Sequence, residues 1–212
     1  MVFENDSGYR KWNVGGDWDS DVMPANNDIV NHTANPIELI VDDDAYAGTL
    51  NVSHPAVASL LISRHGRLTV TGQVSLGASS GFGTILISSG GELIIDSDRS
   101  EALAMPNGLL VLNGGRLRWA GNHIEDLRAL FASGAIEFAG GICEEELPQT
   151  AQSIGQLGSS ELFAISESGY TQVFVVERAS EPSSPVQVPF GWWTLAVLAL
   201  LLGFCHRHNR FM

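Results

Sequence analysis

Between residues 50 and 120, apolar and polar positions alternate in short bursts, and a glycine follows each burst at a fixed distance. Leu60-x-Ile62 leads to Gly66 and then Leu68-x-Val70. The same spacing returns as Ile85-x-Ile87, Gly91, Leu93-x-Ile95, and again as Leu109-x-Val111, Gly115, Leu117-x-Trp119. Gly66 and Gly91 are 25 residues apart, and Gly91 and Gly115 are 24 apart. Period-2 alternation marks strands with one buried face, and glycine supplies the positive φ that a tight corner asks for. A further strand fits each repeat, Leu50-x-Val52 before the first and Val74-x-Leu76 before the second. Three strands in a repeat of this length are the arithmetic of an all-β chain wound as a short right-handed parallel β-helix, of about three coils of 24–25 residues. A β-sandwich also yields short strands and turns, but its hairpins do not require one glycine-anchored motif at a constant period.

An open coil exposes both core and strand edges, so the ends must be closed. Residues 1–36 read as an N-terminal cap, with Trp12 and Trp18 around a glycine pair, then Pro24 and a first strand near Asp28-Ile29-Val30. The coils occupy 37–121. Residues 122–178 read as a capping helix and closing strands. Asn122-His123-Ile124-Glu125 resembles a capping box, Ile124, Leu127, Leu130 and Phe131 share a helical face, and Gly134 stands at the C-cap. Strands are expected at Ile136–Phe138, Leu162–Ile165 and Tyr170–Val176, the last two joined as a hairpin, with a loop over Glu144–Ser160. Proline and serine make 179–189 a linker. In 190–212, the 16 uncharged residues from Phe190 to Cys205 predict a transmembrane helix of about 24 Å. Pro189 precedes it, Trp192 and Trp193 suit a membrane interface, and Arg207 and Arg210 place its end in the cytoplasm, with the coils outside.

Charge narrows the partners. A net charge of −13, with Lys11 the sole lysine, argues against nucleic acid, which is bound by clustered cations. Two cysteines, Cys143 and Cys205, are too few for a disulfide framework, and Cys143 precedes Glu144–Glu146, which disfavours a thiolate. The histidines lie singly, without metal-ligand spacing, so no metal or other cofactor is expected. Acidic runs at Asp42–Asp44 and at Asp96, Asp98 and Glu101 offer hard oxygens to calcium. Neither has EF-hand spacing, and solvated turns explain both. Asp96 and Asp98 also supply the carboxylate pair that a polysaccharide lyase or hydrolase needs, with Arg99 the nearby base, although three coils make a short platform for a polymer. Trp119 falls in an inward position. Trp12 and Trp18 are candidates for stacking on a sugar ring or, as cap residues, for sealing the first coil.

The motif W-x-x-G-G-x-W at Trp12–Trp18, followed by M-P-x-x-x-D-x-V at Met23–Val30 and glycine-punctuated coils, resembles exported bacterial β-solenoid proteins of the adhesin and autotransporter-passenger kind. The segment AGNHIEDLRALFASGAI and the strand GYTQVFVVE are similar to the closing segments of such domains. The tail is similar to PEP-CTERM signals, with VPFGWW where Pro-Glu-Pro would stand. This resemblance implies export, sorting through the tail by an exosortase-type enzyme, and a place in the cell envelope or extracellular matrix. The first residues, MVFENDSGYRKW, have neither a basic nor an apolar leader region, so a start truncated upstream is expected. The function expected is structural or adhesive, presenting a rigid repeat surface to matrix polysaccharide or other cells. The alternatives are a carbohydrate-active enzyme and a carbohydrate-binding module.

Overall fold

A computed structural model describes residues 9–33, 38–78, 81–143 and 147–177. The chain divides into the units Met1–Arg178 and Ala179–Met212. The second unit, with the expected linker, lies outside the described residues.

Three strands make one turn of a coil. Tyr9–Lys11 (β1) leads in. The first coil is Ile29–His32 (β2), Glu38–Val41 (β3) and Asp44–Ala47 (β4), and the second is Thr49–Val52 (β5), Ala58–Ile62 (β6) and Arg67–Val70 (β7). The third is Val74–Leu76 (β8), Gly83–Ser88 (β9) and Glu92–Ile95 (β10), and the fourth is Leu103–Ala104 (β11), Gly108–Asn113 (β12) and Arg116–Ala120 (β13). The helix Ile124–Ala132 (α1) and strands Ile136–Ala139 (β14), Ile142–Cys143 (β15), Gln152–Leu157 (β16), Ser160–Glu167 (β17) and Tyr170–Glu177 (β18) follow.

Equivalent strands stack in parallel. β2, β5, β8 and β11 form a four-stranded sheet, and β1, β3, β6, β9, β12 and β14 a six-stranded one. β4, β7, β10 and β13 belong to an eight-stranded sheet completed by the closing strands. The register is one residue per rung, so inward side chains form columns. Val41, Ile62, Ile87, Leu112 and Phe138 make one column, and Leu39, Leu60, Ile85, Leu110 and Ile136 the next. All ten are buried. Each packs against a near-copy of itself one coil away, which keeps its apolar surface from water.

The all-β, parallel-coil expectation matches the stacked sheets, but the fold class needs three corrections. There are four complete coils rather than three. The first went unseen because β4 buries only Ala45 and Ala47 and begins inside the acidic run. The transmembrane helix is not part of the fold seen here: among the described residues no helix is long and apolar enough to cross a membrane, and 190–212 lies outside them. The eight-stranded sheet also turns antiparallel at its end, where β18 pairs with β13 and β17 and β16 extend it as a meander.

Local chemistry also differs from expectation. In the fourth coil the buried pair is Leu110 and Leu112, not Leu109 and Val111, because an unbroken apolar run conceals its phase. Gly66, Gly91 and Gly115 are not the positive-φ corners; Gly90 and Gly114 are, at +83° and +70°. The repeat glycines answer a steric demand. A Cβ at Gly66 would lie 2.1 Å from the Val41 carbonyl oxygen, and one at Gly115 would lie 2.4 Å from Ile87 Cγ2, each atom in the coil below.

α1 stands in chain order where the next strand of the four-stranded sheet would come, and β14 then rejoins the six-stranded sheet. Ile124 and Leu127 are in the core, and Leu130 and Phe131 pack against it. Gly155 of β16 leaves the space that Phe131 fills, since a Cβ there would meet the ring at 2.0 Å. The helix ends as expected in a Schellman turn: Gly134 at φ +77°, its N–H donating to Phe131 O, and that of Ala135 donating to Leu130 O. Its N-cap is His123, not Asn122. β17 and β18 form the expected hairpin through Ser168 and Gly169, both at positive φ as a type I′ turn requires. Part of the expected loop is β16.

Candidate functional site

The outward side chains of the eight-stranded sheet carry the organised polar chemistry. The first outward position after each corner holds Asp44, Arg67, Glu92 and Arg116, paired rung on rung. Opposite charges facing each other across strands attract. Arg67 Nε donates to Glu92 Oε2 at 2.9 Å and approaches Asp44 Oδ1 at 3.9 Å, while Arg118 Nη1 lies 3.9 Å from Glu92 Oε1. The Glu92 hydrogen bond, then its charge, raises the Arg67 pKa further above its ordinary value. Arg116 ends the ladder exposed, and among the described residues it has no ion pair.

Beside this ladder the corners between the six- and eight-stranded sheets stack into a cleft of about 490 Å³. Ser89 and Gly90 are exposed along it, the buried Gly66 and Gly91 lie in its floor, and His65, Arg67, Glu92 and Arg116 stand at its sides. Chemically, the arrangement offers guanidinium donors to an anion and carboxylate, hydroxyl and peptide groups to a polyhydroxylated ligand.

A second polar cluster fastens the last coil. Tyr170 Oη donates to Asp96 Oδ1 at 2.8 Å, and Arg118 sits 4.5 Å above the Tyr170 ring. That hydrogen bond, followed by burial, raises the Tyr170 pKa above its usual value. His123 is buried, stacked on Trp119 with ring centroids 3.9 Å apart, and its ring nitrogens reach Asp126 Oδ2 at 2.8 Å and Ala120 O at 2.7 Å. Its backbone N–H donates to Thr171 Oγ1, whose hydroxyl donates to Gly121 O.

The sequence candidates fall as follows. Trp12 and Trp18 are 2% and 3% exposed, edge to face at 5.2 Å, with Trp18 Nε1 donating to Trp12 O, so neither offers a ring face to solvent in this structure. Trp119 is core, its Nε1 donating to Ser97 O. Asp96, Asp98 and Glu101 share the long corner 96–102 but do not converge: Asp96 takes Tyr170, and Glu101 takes Arg99 at 2.7 Å. Its own backbone N–H, and then Arg99, lower the Glu101 pKa. Among the described residues no group of three His, Cys, Asp or Glu could hold a metal ion. Pro189, Trp192, Trp193, Arg207 and Arg210 lie outside the described residues, as does the Cys143 side chain. The ladder was missed, although its signal was present: the residue after each repeat glycine is Arg67, Glu92 or Arg116. No family model, no curated protein and no solved structure matches this chain.

Proposed function

We propose that this chain is a structural or adhesive protein of the cell envelope or extracellular matrix, whose solenoid holds a fixed array of polar groups towards matrix polysaccharide. The observation that supports the reading is the ladder on the eight-stranded sheet, where four coils in strict register repeat one outward position at the strand spacing of about 4.8 Å. A polymer with repeating hydroxyls and charges suits such a face, because each rung meets it without reorganisation. The sorted, extracytoplasmic location belongs to the same proposal and rests on the motifs of the ends.

An array of immobilised polysaccharides, neutral and acidic, probed with the full chain tests the role. Retention on at least one matrix glycan without release of reducing ends or unsaturated sugars is expected. Product release would replace this reading with a lyase or hydrolase, and a blank array would remove it. Protease accessibility of the protein on intact cells tests the location.

A further inference from the structure

Within that reading, we propose that the corner cleft beside the ladder is a binding site for the carboxylate of a short acidic saccharide, with Arg116 as its principal contact. The net charge of the chain is −13, yet cations gather here. Of the eight lysines and arginines among the described residues, Arg64, Arg67, Arg116 and Arg118 lie on this corner and the adjoining face, against Asp44 and Glu92. The corner of the first coil, by contrast, is Asp42-Asp43, with Lys11 on Asp42 at 2.5 Å, so the positive region begins at the second coil.

Within this region the charges are unequally used. Arg67 is held between two carboxylates, and Arg118 lies between Glu92 and the Tyr170 ring. Arg116 also faces Glu92 across the strands, but the nearer bond of that carboxylate goes to Arg67. A planar guanidinium in this position is suited to two parallel hydrogen bonds with a carboxylate.

The remaining lining argues for a sugar acid over a bare anion. Ser89 brings a hydroxyl to the lining beside the exposed Gly90, and the exposed His65 adds a further hydrogen-bonding group. A cleft of about 490 Å³ is in the range that holds a small organic ligand, here about two or three sugar rings. Nucleic acid fits less well: its charges come every ~1.7 Å along a duplex, and beyond a Debye length of about 8 Å they would meet the acidic remainder of the protein.

The test titrates the full chain with trigalacturonate, its methyl ester, inorganic phosphate and a single-stranded DNA oligomer, by calorimetry and amide NMR. Two exposed-site variants, Arg116→Ala and Ser89→Phe, are included; the second fills the cleft without changing charge, and thermal melts check that both fold. Trigalacturonate is expected to bind, with shifts confined to 64–67, 89–92 and 114–118. Each variant should weaken it about tenfold, equivalent to about 1.4 kcal/mol, and the ester and phosphate should bind at least tenfold more weakly. Equal binding of the ester, or indifference to both variants, overturns this inference while leaving a neutral-glycan role intact. Tighter binding of the oligomer overturns it in favour of nucleic acid. Absence of any binding overturns it too, and together with a blank polysaccharide array it removes the wider reading.

Discussion

The coils and the closing end solve one problem, burying strand edges and apolar faces, by different means. In the coils each side chain packs on its own equivalent one rung away: Ile85 lies between Leu60 and Leu110, and Gly66 is bare because Val41 O lies beneath it. At the closing end only β14 continues the columns, and the rest is held by individual contacts. His123 is fixed by Trp119, Asp126, Ala120 and Thr171, four partners of four chemical kinds. Self-stacking needs only shape and repeats along the chain, whereas closing the stack needs individually matched hydrogen bonds. The two regions should therefore fail differently.

The largest effect is expected from Ile85→Ala, which opens a cavity in a fully buried column and should cost about 2–5 kcal/mol in denaturant unfolding. Faster hydrogen exchange should spread to β6 and β12 on either side; exchange confined to β9 would break the picture of coupled coils. Gly66→Ala follows, with a methyl 2.1 Å from a backbone oxygen, at about 1–3 kcal/mol. The same change at Gly134, where nothing lies within 4 Å, tests φ alone and should cost less. Thr171→Val keeps the shape but strands the His123 N–H and the Gly121 carbonyl, for about 1–3 kcal/mol. Here the faster exchange should stay in α1 and the start of β18; its spread into β6 would merge the two regions into one.

The smallest effect concerns pH. The folded Tyr170 pKa is raised, so its contribution is complete below the unfolded value of about 10 and is lost as pH rises through the folded value. Tyr170→Phe should flatten stability above pH 10, at a cost below about 1 kcal/mol at neutral pH. An unchanged alkaline limb would show that the Asp96–Tyr170 bond does not form in solution.

The same contrast explains what the sequence disclosed. The second and third coils were legible because Leu60, Ile62, Leu68 and Val70 recur one period later as Ile85, Ile87, Leu93 and Ile95, with Gly66 and Gly91 at the same place between the two pairs. The fourth coil hid its phase in Leu109–Leu112, where every position is apolar. The first hid behind Ala45 and Ala47, too small to register as a strand core. β16 was unreadable because only Ile154 of its side chains is buried, so no alternation showed. The candidate site was illegible for a different reason: apolar periodicity marks only the inward positions, whereas Asp44, Arg67, Glu92 and Arg116 alternate sign from coil to coil at the positions facing out.

That the strands of the third coil pair only with strands of the coils on either side has a consequence for how such a molecule can vary. Duplicating residues 83–107, one full turn up to the register partner of Gly83, would ask nothing new of either end. It would lengthen the body by a single step of about 4.8 Å. Relatives of this chain should accordingly differ in size by whole turns, like rulers cut only at their graduations, with the tryptophan pair and the helix kept unaltered at the two ends.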